Sequence, residues 1–68
     1  VKYVVVQPGF LTHFLCGWRD GVDQWDCHCD RALVLDGPMA RGIAAHLNAR
    51  RPNAPVPVTV DTVKWHIR

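Results

Sequence analysis

Residues 2–7, KYVVVQ, constrain the fold more than any other stretch of this chain. The run is aromatic and β-branched, which favours an extended strand. Alternate side chains of a strand leave on opposite faces, so Tyr3 and Val5 share one side and Val4 and Val6 the other. Both sides are apolar. Such a strand belongs in the middle of a sheet, with cover on at least one face.

The following residues read as its neighbours. Gln7-Pro8-Gly9-Phe10 is a turn, because Pro fixes φ at the second position and Gly accepts positive φ at the third. LTHFLCGW, residues 11–18, is the next strand. Leu11, His13 and Leu15 are expected on one side, with Thr12, Phe14 and Cys16 on the other. Gly17 and the RDGVD segment interrupt it, and Asp20-Gly21 is a hairpin turn pair. Alternation resumes from Gln24 to Asp30, with Trp25, Cys27 and Cys29 on one side and Asp26, His28 and Asp30 on the other. RALVL, residues 31–35, is a further short strand or the entry to a helix.

The helix has the clearest signals. Asp36 caps it, Pro38 suits its first turn, and MARGIAAHLNAR follows. Met39, Ile43 and Leu47, with His46 and Arg50 alongside, form the expected inner stripe. His46 is read there as a core histidine and Met39 as core. Ala40 and Ala44 flank the stripe and allow close approach to a sheet, while Arg41, Ala45 and Asn48 face away. Pro52 ends the helix.

Val56, Val58 and Val60 then alternate with Pro57 and Thr59, and Pro57 points to an edge strand or a strand start. Val63, Trp65 and Ile67 alternate in the opposite phase, so a bulge or turn is expected near Asp61-Thr62. Lys64, His66 and Arg68 would form a basic outer stripe. The order is β-β-β-α-β. The expected fold is one compact α+β domain over residues 1–68, an antiparallel sheet of three to four strands with one helix packed on one face.

Size and charge narrow the function. A domain of 68 residues buries only about 60% of the surface its unfolded chain exposes, so a deep cleft with a full catalytic shell is hard to fit. Hydrophobic residues make up 49% of the chain, which argues against disorder. No apolar run approaches the ~20 residues of a membrane span, and the first residues lack the pattern of a signal peptide. A cytoplasmic protein without membrane contact is expected, and a first residue other than Met is read as trimming or an artefact of expression. Residues 18–36 carry a net charge of −3 and residues 41–51 a net charge of +3, a bipolar surface. Three cysteines is an odd number, unsuited to a disulfide framework.

His13, Cys16, Cys27 and Cys29 have the composition of a Cys3His zinc site. Their spacing opposes it: in a regular strand Cys27 and Cys29 emerge roughly 6–7 Å apart, whereas two zinc thiolates sit nearer than about 4 Å. The two cysteines are therefore read as small buried hydrophobes beside Trp25. No metal and no cofactor is expected. His28 lies between two carboxylates, yet the chain contains neither Ser nor Glu and no nucleophile-base order, so it is read as a non-enzyme. Asp26, His28 and Asp30 are expected to form an acidic partner-binding face. Arg41, Arg50, Arg51, Lys64, His66 and Arg68 provide basic contacts for a protein partner or for phosphate. Of the three tryptophans, Trp18, beside Arg19 in an expected loop, is the one expected at the surface as a binding anchor. An exposed last strand would also invite pairing with a second copy.

The succession KYVVV, RALVLDGPMARGIAAHLNA and VPVTV resembles small α+β proteins encoded by bacteriophages, among them several anti-CRISPR proteins and other compact host inhibitors. The resemblance covers most of the chain as a pattern and matches no defined active site. It implies a non-enzymatic inhibitor in the host cytoplasm that binds a host protein or ribonucleoprotein complex, such as a CRISPR effector, and occludes a working surface. The alternatives are a small nucleic-acid-binding regulatory module and a zinc-stabilised structural module.

Overall fold

The computed structural model describes residues 2–54 and 56–63. It holds strands β1 (Tyr3–Gln7), β2 (His13–Arg19), β3 (Val22–Asp26) and β4 (Thr59–Thr62), and helix α1 (Gly37–Arg50). A single 3₁₀ turn, Cys29–Arg31, lies between β3 and α1. The four strands form one antiparallel sheet in the order β3-β2-β1-β4. The α+β class and the β-β-β-α-β order are those expected. Among the described residues no helix is long and apolar enough to cross a membrane.

β1 is central and both of its faces are covered. Val5 packs with Leu15, Val58 and the helix residues Ala40, Ala44 and Leu47. Val4 and Val6 pack on the other face with Val63, against Phe14, Ala32 and Val34. Burying a valine fully contributes about 1.5–3 kcal/mol, so three buried valines in a five-residue strand anchor the domain.

The 31–35 segment is neither an ordinary strand nor part of the helix. β1 and β2 are in register only at Val6↔Phe14 and Gln7↔His13. Beyond that they diverge, and residues 33–35 take up the backbone groups. Leu33 N–H donates to the Leu15 carbonyl, and Leu35 and Tyr3 exchange both backbone hydrogen bonds, each at 2.8 Å. β2 and β3 stay paired out to Arg19 and Val22. Their hairpin is closed by Asp20 and Gly21, whose φ values of 53° and 78° are the two positive angles of a type I′ turn.

Four expectations are corrected. First, Gly17 does not end β2. A bulge between Leu15 and Gly17 lets the strand continue, and Gly17 takes φ 148°. Second, β3 stops at Asp26, so Cys27 and Cys29 are not strand residues beside Trp25. Cys27 is exposed and Cys29 half-buried. Third, the inner face of the helix is Gly37, Ala40, Ala44 and Leu47, with Ile43 partly buried against the core. Met39 is 56% exposed and His46 is exposed. Small alanines let the helix axis approach the sheet, which longer side chains at the same positions would prevent. Asn48, expected to face away, is half-buried against Val58. Fourth, β4 runs in regular register with β1 from Thr59 to Thr62. Val58 and Val60 pack toward the helix, and Val63 toward the opposite face. The change of phase needs no bulge, because both faces of the sheet are covered. Trp65 and Ile67 lie outside the described residues.

Candidate functional site

Two clusters of polar side chains lie along the β2–β3 hairpin. The first is built on Asp23 and Trp25, which alternate on β3 and so share a face. Trp25 packs partly against the helix-side core, so that face looks toward α1. The Trp25 indole N–H donates to Asp23 Oδ2 at 2.6 Å. Arg51, the residue capping the C-terminal end of α1, donates from Nη2 to the same oxygen at 2.9 Å and from Nη1 to Gln7 Oε1 at 3.4 Å. Its guanidinium also stands 5.9 Å from the centroid of the Trp25 ring, within cation–π range. Asp23 is only 12% exposed. The Trp25 hydrogen bond, with the charges of Arg51 and Arg50, holds its carboxyl below the usual range, against the opposing effect of burial.

Trp18 pairs across the strands with Asp23. The bulge at Cys16 brings this about. It adds one residue to β2, so Trp18 leaves on the same face as Leu15, three residues earlier, where strict alternation would separate them. Trp18 is 49% exposed and Val22 is 59% exposed. Arg19, Asp20 and Gly21 are exposed too, so the whole hairpin tip faces solvent.

The second cluster lies where β3 ends. Asp26 Oδ1 accepts the His28 backbone N–H at 2.8 Å and faces the ring Nδ1 of His28, also at 2.8 Å. The backbone bond turns the chain away from the sheet and stops the strand. Arg31 Nη1 lies 3.5 Å from Asp26 Oδ2. Cys27 Sγ is 3.6 Å from His28 Nδ1. The two hydrogen bonds from His28, backbone first, hold the Asp26 carboxyl below its ordinary range. Burial, and then the negative charge of Asp26, pushes the Cys16 thiol up.

These contacts sort the residues named from the sequence. Trp18, Arg50 and Arg51 gather around Asp23, while Arg19, paired with Val22, leaves the hairpin tip on the opposite face. Asp26 and His28 touch, while Asp30 stands exposed in the 3₁₀ turn. Arg31 rather than Asp30 joins Asp26, so the acidic face is partly neutralised. Arg41 lies over Gly37 at the start of the helix, nine residues and roughly 13 Å along the axis from Arg50. Arg51 is committed to Asp23. The described arginines of the helix therefore do not make one continuous basic patch. His13 is paired with Gln7 and leaves β2 on the face opposite Phe14, whose cross-strand partner is Asp26. That separates His13 from Asp26. Lys64, His66 and Arg68 lie outside the described residues.

Sequence reasoning missed Asp23, whose partners are 28 residues away in Arg51 and two away in Trp25. It also missed the exposed pair Phe10 and Leu11 in the β1–β2 connection. Their one local signal is a large apolar pair directly after a Pro-Gly turn.

No family model matches the chain, and no curated protein or solved structure matches it.

Proposed function

We propose that this domain is a non-enzymatic protein-binding module that acts by occluding a surface of its partner through the β2–β3 hairpin. The observation that carries this reading is Trp18. A tryptophan half-exposed at a hairpin tip keeps a large apolar surface in water, which costs stability unless a partner covers it. Its backbone is held rigidly by pairing with Asp23, and Asp23 is tied to the helix through Arg51. The anchor is thus organised before binding, which reduces the entropy lost on association. Arg50, whose charge acts on Asp23, lies on the same side as Trp18, while the exposed Val22 and Arg19 pair on the opposite face of the hairpin tip. The resemblance to phage-encoded host inhibitors supports a bacterial host protein or ribonucleoprotein complex as the target, with a CRISPR effector as the specific case.

The test uses the immobilised chain and a nuclease-treated bacterial lysate, followed by inhibition of target cleavage by any effector complex recovered. The parent chain should retain one protein or complex in stoichiometric amount. Trp18→Ala should lose that capture by tenfold or more while its circular dichroism stays unchanged. Equal capture by parent and variant would remove the hairpin tip as the binding surface.

A further inference from the structure

We propose that Asp26, Cys27 and His28 form an open site for one thiophilic divalent cation, with zinc the ion that best fits the ligand set. The three residues each offer a different donor: a carboxylate oxygen, a thiol sulfur and an imidazole nitrogen. Their ligand atoms all lie within 4.8 Å of one another.

The separation of the sulfur and nitrogen donors agrees with tetrahedral zinc. Bonds of about 2.3 Å to sulfur and about 2.0–2.1 Å to nitrogen, at the tetrahedral angle, separate the two donors by about 3.6 Å. Cys27 Sγ and His28 Nδ1 are 3.6 Å apart. Oxygen and nitrogen donors on one zinc stand about 3.3 Å apart. Asp26 Oδ1 and His28 Nδ1 are 2.8 Å apart, bridged by a hydrogen bond, and need open by only half an ångström when the cation replaces the proton. Binding releases the Cys27 thiol proton, and His28 binds through an unprotonated Nδ1.

The objection raised by the strand pattern does not reach these atoms. It concerned two cysteines in a regular strand, and the strand ends at Asp26. The turn that ends it folds Cys27 and His28 back toward the carboxylate. Arg31 stands beside Oδ2 at 3.5 Å while Oδ1 faces His28 Nδ1, a supporting contact of the kind that positions metal ligands. Cys27 and His28 are both exposed, so the fourth position is left to water. The ligand set differs from His13, Cys16, Cys27 and Cys29 in all but Cys27.

The test is a titration of the full chain with cobalt(II), then zinc(II), with thiols kept reduced by a non-chelating phosphine. One equivalent of cobalt should give thiolate-to-metal charge-transfer absorption, and zinc should bleach it at one equivalent. Cys27→Ser and His28→Ala should lose the signal. Both positions are exposed and outside the regular elements, so circular dichroism should match the parent. Cys29→Ser should retain the signal. Absence of the band in the parent chain, its survival in Cys27→Ser or His28→Ala, or its loss in Cys29→Ser would overturn the assignment.

Discussion

Asp23 satisfies two donors with a single carboxylate oxygen, one from β3 itself and one from the end of the helix. Replacing it with alanine leaves the partly buried Trp25 N–H without its acceptor. That should cost about 1–3 kcal/mol in urea unfolding. The same residue predicts a pH dependence. Its folded pKa lies below the ordinary 3.8, so the unfolded chain binds the proton more tightly than the folded one. Its contribution is fully present above the ordinary value and is lost as pH falls through the lower folded value. Stability curves from pH 6 to pH 2 should therefore decline less steeply in Asp23→Asn than in the parent. Identical slopes would show that Asp23 is not a linked group. Little of this was legible in the sequence. Trp18 was recognisable as a surface residue from its place beside Arg19, although the loop expected there is the turn-ward end of β2. Asp23 looked like one more solvated acid, because its chief cation is 28 positions away.

Elements were legible where their signals are local. Asp36 accepts the Met39 N–H at 2.9 Å, as its place before Gly-Pro implies, and Asp20-Gly21 closes the hairpin. Gly21→Ala puts a Cβ at φ 78° and should destabilise the domain by about 1 kcal/mol. A thermal melt reads the change, and an unchanged midpoint would mean that the turn relaxes to another type. The misread elements failed for a shared reason. Alternation in Gln24–Asp30 ran past Asp26 because Cys27 and Cys29 score as apolar, yet the Asp26 side chain competes for the backbone and ends the strand. On the helix, Met39 outranks Ala40 in hydrophobicity, but the face that packs is the one that fits closest to the sheet.

At the scale of the molecule, one side chain joins the helix to the last strand. Asn48 Nδ2 donates to the Val58 carbonyl at 2.9 Å, and Val58 N–H donates to Asn48 Oδ1 at 2.7 Å. This pair fixes where the chain enters β4 after the Pro-marked loop, at the rim of the core that contains Val58 and Leu47. Asn48→Ala leaves the Val58 N–H and carbonyl unpaired in a half-buried place, with an expected loss of about 1–3 kcal/mol. Amide exchange should accelerate at Val58 and along β4 while the β2–β3 hairpin keeps its protection. Uniform acceleration across the whole sheet would instead show that β4 and the hairpin open together. The sequence by itself determined the β-β-β-α-β order, the central β1, the capped helix and the hairpin turn. Each follows from short-range rules: alternation, φ preference, and side-chain capping within a few residues. The tertiary structure alone decided the splay of β1 from β2, the bulge that turns Trp18 to the helix side, the Arg51–Asp23 tie and the convergence of Asp26, Cys27 and His28. The first three depend on which segments compete for the same backbone groups and charges, a competition that exists only once the chain has folded back on itself. The last depends on the strand's ending at Asp26, which the alternating pattern conceals.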